Sequence, residues 1–131
     1  MIVVDASTVV EYLVGGRSFE RLRERIDEPG QHLHAPHLLD IEVLHALRRL
    51  TLQRSLEAER ADDAVRDFAE LRVMRYPAST FLSRVWQLRH NVAAFDAVYV
   101  ALAEALDAPL ITTDARLARA LGHDARIELV V

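Results

Sequence analysis

The sequence predicts an α/β fold, a short parallel β-sheet sandwiched between α-helices. Two observations lead there. Short β-branched runs alternate with segments of helical periodicity, and each helix that links two parallel strands must pack back on the sheet, covering both of its faces. No internal repeat, low-complexity tract or linker breaks the pattern, so residues 1–131 are expected to form one domain.

Ile2 to Val4 is a β-branched run that ends in Asp5, and Ser7, Thr8 and Glu11 follow in a capping-box arrangement. This predicts a strand, a turn, and a helix running toward Gly15 and Gly16. Phe19 to about Asp27 predicts a second helix closed by Pro29 and Gly30, and His32 to Ala35 a strand before Pro36. A long helix is expected from about Leu38 to Gln53, with Leu39, Val43, Ala46, Leu47 and Leu50 on its core-facing stripe. Leu38, Ile41, Leu44 and Leu52 make a second side of it apolar, which implies a further packing surface.

Ser55 to about Leu71 reads as a helix, Val73 to Tyr76 as a strand ended by Pro77, and Thr80 to about His90 as another helix. A helix from Ala94 to Leu106 follows, with Phe95, Val98, Tyr99, Leu102 and Leu106 as its buried stripe. Leu110 to Thr112 is a strand, Ala115 to Leu121 a helix stopped by Gly122, and Ile127 to Val130 the last strand.

Composition narrows the chemistry. About half of the residues are apolar and about a quarter charged, as in a globular chain. Cysteine is absent, which leaves carboxylate or imidazole as metal ligands and removes thiol nucleophiles. Every strongly basic side chain is arginine, so P-loop chemistry and the phosphotransfer folds that place a lysine beside the phosphate are disfavoured. A net charge of −4 argues against steering of nucleic acid by the whole surface and leaves room for a local arginine patch, with Arg48 and Arg49 as candidates. No apolar run has membrane-spanning length and strand-like residues begin at Ile2, so neither a membrane span nor a signal peptide is expected, and the chain is expected in the cytoplasm.

Four acids stand out. Asp5 and Asp114 lie just past the carboxyl ends of two strands, where functional groups collect in open parallel sheets. Each has an ordinary alternative. Asp114 is a good N-cap, and so is Asp5, although Ser7 and Thr8 offer caps of their own. Glu42 flanks the stripe of its helix and could pair with Arg49 or His45, while Asp96 in a first turn could simply favour the helix dipole. His32, His34 and His37 could suggest zinc, but alternate strand positions ahead of a proline are more often surface or half-buried sites.

Taken together, VDAS around Asp5, Glu42 in the helix after Pro36, FDAVYVALAEAL around Asp96 and PLITTDARL around Asp114 resemble the PIN-domain nucleases, specifically the VapC-type toxins of toxin–antitoxin pairs. The resemblance spans essentially the whole chain. It implies a PIN-like fold, a metal-dependent endoribonuclease, and Asp5, Glu42, Asp96 and Asp114 as catalytic metal ligands supported by the Thr112 hydroxyl and more weakly by Ser7. It also implies Mg²⁺ or Mn²⁺ as cofactor, RNA as substrate, a cognate antitoxin as partner and a homodimer. Hydrolysis would leave a 3′-hydroxyl and a 5′-phosphate. Oxygen-only ligands suit such an ion. The alternatives are a PIN nuclease in RNA processing or DNA cleavage outside toxin–antitoxin systems, a non-catalytic RNA-binding module, and an RNase H-like nuclease; in the last the acidic first strand continues into a hairpin, whereas Asp5 runs into a helix.

Overall fold

A computed structural model describes residues 1–131. The strands are β1 (Ile2–Val4), β2 (Leu33–Pro36), β3 (Val73–Tyr76), β4 (Leu110–Thr112) and β5 (Ile127–Leu129). The helices are α1 (Ala6–Val14), α2 (Phe19–Ile26), α3 (Leu38–Leu52), α4 (Ala58–Glu70), α5 (Leu82–Gln87), α6 (Ala94–Leu106) and α7 (Ala115–Ala118), with a 3-10 turn over Ala78–Phe81. The sheet is parallel throughout, in the order β3-β2-β1-β4-β5.

That order places the site. From β1 the chain steps outward through β2 to β3, then crosses back to β4 on the other side of β1. Right-handed crossovers that step in opposite directions put their helices on opposite faces. Accordingly α1 packs with α2, α3 and α4, while α6 lies on β1, β2 and β4 with α5 against it. The strand order reverses between β1 and β4, the place beyond the carboxyl ends of the strands where open α/β sheets collect their functional groups. β1 is buried along its whole length, as befits a central strand covered on both faces.

The core follows the expected stripes. Leu39, Val43 and Leu47 of α3 and Val98, Tyr99 and Leu102 of α6 are buried in one cluster with β1 and β4. Phe95 departs from its expected burial and is 64% exposed, because it stands in the first turn of α6, beyond the end of the sheet that the later turns cover. Of the second apolar side of α3, Leu38 packs against the core, whereas Ile41, Leu44 and Leu52 remain exposed.

Several boundaries shift for local reasons. β2 takes in Pro36, whose missing N–H costs nothing because β1 has ended and β3 supplies the pairing, Tyr76 accepting from His37 N. α4 starts at Ala58 because Ser55 and Leu56 donate their N–H groups back to Leu50 O, closing α3 through Arg54 at φ 58°. The helix expected over Thr80 to His90 is a 3-10 turn, then α5, then tight turns in which Arg89 N reaches Trp86 O and Asn91 N reaches Leu88 O. α7 ends at Ala118 for the same reason, with Arg119 N on Arg116 O and Ala120 N on Leu117 O.

The expected capping box is also corrected. Asp5 is itself the N-cap of α1, accepting from Thr8 N at 2.9 Å, while Ser7 and Thr8 lie inside the helix. The Glu11 carboxylate points the other way and accepts from Ser18 N. Gly15 ends α1 in the left-handed region at φ 67°.

Candidate active site

Asp5, at the end of β1, is buried and nearly saturated with donors. Its Oδ1 accepts from the Ser7 hydroxyl at 2.7 Å and from Thr8 N, and its Oδ2 accepts from the Thr112 hydroxyl at 2.5 Å. Burial pushes the Asp5 carboxyl above its ordinary pKa, and the donors from Thr112, Thr8 and Ser7 oppose that rise. The hydroxyls join β1 to β4: Thr8 donates to Ile111 O at 2.8 Å, Thr113 N donates to Ser7 Oγ at 3.2 Å, and Ser7 Oγ lies 3.4 Å from Thr112 Oγ1.

Asp114, two residues past β4, caps α7 with Oδ1, which accepts from Arg116 N at 2.9 Å and Leu117 N at 3.4 Å. Asp114 N donates to Thr112 Oγ1 at 3.0 Å, so one threonine hydroxyl ties Asp5 to Asp114. For both aspartates capping and site geometry are therefore compatible. One carboxylate oxygen serves the helix, while the other is held by Thr112 in Asp5 and touched by Arg116 in Asp114.

Glu42, one turn into α3, pairs with neither Arg49 nor His45. Its Oε1 accepts from the Tyr99 hydroxyl of α6 at 2.7 Å, a contact between helices on opposite faces of the sheet. Burial is the main cause raising the Glu42 carboxyl above its ordinary value; the negative charges of Asp96 and Asp5 add to it, and the Tyr99 bond and His45 oppose it. Tyr99 is pushed above its ordinary value by burial and by donating to Glu42. A buried hydroxyl in an otherwise apolar stripe needs a partner, and that need is the one sequence signal that marks Tyr99. Asp96 stands three residues before Tyr99, and its Oδ2 lies 3.0 Å from Arg116 Nη2.

Arg116 is the second residue missed from the sequence. Its Nη2 lies between Asp96 Oδ2 and Asp114 Oδ2, the latter at 3.4 Å, and so closes a network that runs from Asp5 through Thr112 and Asp114 to Asp96. Two carboxylates against one guanidinium leave a local excess of negative charge, and all the donor atoms are hard oxygens. That chemistry fits a Mg²⁺- or Mn²⁺-sized ion. No three of the chain's acidic or histidine side chains converge into a ready cage. The histidine triplet makes no such cluster: His34 Nδ1 is 2.7 Å from the Tyr76 hydroxyl, and burial lowers its pKa.

A model of the PIN domain family matches residues 2–121. Ribonuclease VapC1 of Mycobacterium tuberculosis is 49% identical over 130 residues, covering 98% of this chain and 96% of that protein. Among solved structures, M. tuberculosis VapC20, titled a sarcin-ricin loop cleaving toxin, superposes with a TM-score of 0.67 at 14% identity over 90% of this chain and 93% of that one. VapBC2 of Rickettsia felis, bound to a DNA fragment from its promoter, gives a TM-score of 0.68 at 14% identity with complete coverage of both chains. At that identity the two structures speak to the fold alone.

Proposed function

The chain belongs to the PIN-domain family, among the VapC-type ribonucleases, and from that footing we propose that it is the toxin of a toxin–antitoxin pair, an endoribonuclease dependent on Mg²⁺ or Mn²⁺. The observation that carries the proposal is the set of carboxylates at the end of β1, on α6 and after β4 that Thr112 and Arg116 tie together, with Glu42 of α3 held by Tyr99 of the same helix that carries Asp96.

In this reading Asp5, Glu42, Asp96 and Asp114 hold the ion. When bound, the cation supplies a Lewis acid that makes water a competent nucleophile at neutral pH and neutralises charge on the departing oxygen. The residues of the chain do the positioning. Thr112 and Ser7 fix the Asp5 carboxylate by donating to its two oxygens, and Thr112 accepts from Asp114 N, so one hydroxyl ties the acid after β1 to the segment after β4. Tyr99 holds Glu42 by one oxygen and leaves the other open. The water oxygen adds to phosphorus as the bond to the 3′ oxygen breaks, which leaves a 5′-phosphate and, after proton transfer, a 3′-hydroxyl. No protein nucleophile is needed.

Protein freed of any partner is expected to cleave RNA in Mg²⁺ or Mn²⁺ and to fall silent in excess chelator, read on a labelled RNA by gel. Cleavage unchanged in chelator would remove the metal mechanism.

We assign the exposed apolar side of α3 to protein contacts, as a homodimer interface or the seat of the cognate antitoxin. Ile41 and Leu52 are 66% and 65% exposed, more than isolated surface apolar residues on one helix face call for. Leu44 borders a cleft between α3 and α4 that Val65 also lines. The double variant Ile41→Glu, Leu44→Glu is expected to keep its fold by circular dichroism and to lose either dimer mass in light scattering or antitoxin binding. If both survive, that face is not an interface.

A further inference from the structure

Arg116 has a place in the site that no acid-based reading requires. It is the only basic side chain in ion-pair contact with any of the four acids, and a single nitrogen, Nη2, approaches two of them. Those two carboxylates come from different elements, α6 and the turn after β4, so the guanidinium sits where a cation between them would sit. The oxygens involved sharpen the point. Asp114 commits Oδ1 to capping α7, leaving Oδ2 for an ion, and Oδ2 is the oxygen that Arg116 touches.

We propose that Arg116 is an internal counter-ion of the Asp96 and Asp114 carboxylates, displaced when a divalent cation enters and then presented to a backbone phosphate of the RNA. The proposal rests on the metal-site reading above. A cation that ligates Asp114 Oδ2 at about 2.1 Å cannot share it with a guanidinium, since like charges repel and the ligand space is filled. The side chain is free to leave: it is 70% exposed and stands in the first turn of the short α7. Once displaced, its planar donors have lost their carboxylates and lie beside the scissile position. A phosphodiester is the anion that such a fork recognises, through two parallel N–H to oxygen bonds.

The two halves push metal and RNA in opposite directions, which a structural role for Arg116 would not do. The test uses the wild type, Arg116→Gln and Arg119→Gln. Arg119 lies on the same short stretch, is exposed and touches none of the acids, so its variant controls for the loss of one positive charge. Mn²⁺ affinity is read from the electron paramagnetic resonance of free Mn²⁺, with no RNA present. Arg116→Gln is expected to bind Mn²⁺ about two- to fivefold more tightly than wild type, the range for relief of an exposed ion pair, and Arg119→Gln to change little. At saturating Mn²⁺, kcat/KM for a single-stranded RNA is expected to fall about tenfold in Arg116→Gln. The slope of log kcat/KM against log salt should become shallower by about 0.7, the signature of one lost phosphate contact on a single strand. Unfolding in chelator checks that each variant is folded.

Equal Mn²⁺ affinity in wild type and Arg116→Gln, or an equal gain in Arg119→Gln, overturns the counter-ion role. An unchanged salt slope overturns the phosphate role. If none of the three proteins binds Mn²⁺, the metal-site reading itself fails and the proposal falls with it.

Discussion

Asp5→Ala is expected to lose about 2–4 kcal/mol of folding stability in chelator, whereas Asp5→Asn stays within about 1 kcal/mol of wild type, and both lose cleavage. Removal of the side chain deletes the N-cap of α1, which alone costs about 0.5–2 kcal/mol. It also leaves the buried Thr112 and half-buried Ser7 hydroxyls only each other, at 3.4 Å, in place of the carboxylate, and a buried donor that loses its partner costs about 1–3 kcal/mol. Asparagine avoids this. Its oxygen still accepts from Thr8 N and the Ser7 hydroxyl, and its amide can donate to Thr112 Oγ1, whose own proton can turn toward Ser7 Oγ, 3.4 Å away. Burial also disfavours the charge on Asp5, so losing that charge offsets part of any mismatch. Chemical denaturation in chelator measures both variants. Equal stabilities for alanine and asparagine would mean that the cap and the hydroxyl network contribute nothing.

The contrast between these variants shows what was legible in the sequence. Capping and a site role compete for Asp5 and Asp114 only while each carboxylate is read as a single group; in the fold one oxygen of each caps a helix and the other makes a separate contact, with Thr112 or Arg116, which leaves the proposed role compatible with the cap. The strands and the long helices were readable because their signals are local: β1, β3, β4 and α6 have the expected bounds. Shorter elements drifted where a few hydrogen bonds decide, as at the tight turns after α5 and α7. Phe95 was misplaced because periodicity says which residues share a helix face, and only the sheet's extent says where along the helix that face stops being covered.

Within the site, the acids carried their own sequence signal in the motifs around them, and Thr112 came with that signal. Tyr99 and Arg116 did not. Their roles depend on which helices the crossovers bring together, α3 with α6 for the Glu42 contact, and α6 with the start of α7 for the guanidinium. Arg116 in particular looks like any exposed arginine in a short helix until Asp96 is seen beside it.

The second large effect belongs to Asp96. Its side chain is 23% exposed and its one ion-pair partner is a guanidinium 70% exposed, so Asp96→Asn removes a contact of little worth to the fold and one charge from a crowded set. The variant is expected to unfold in chelator at a temperature equal to or above that of wild type, while RNA cleavage drops by more than the 10- to 100-fold typical of removing a mere supporting partner of a metal ligand. The fold survives and the chemistry does not.

The metal response of that same pair tests the central claim, that acids from four separate elements gather to hold a divalent cation. Thermal unfolding is followed with and without Mn²⁺ at a hundredfold excess over the wild-type dissociation constant. Wild type should gain about 2.7 kcal/mol of stability from the metal, and Asp96→Asn much less at the same concentration. A variant clearly less stable than wild type in chelator, with its gain from Mn²⁺ undiminished, would make Asp96 a structural residue of α6 and place the metal elsewhere.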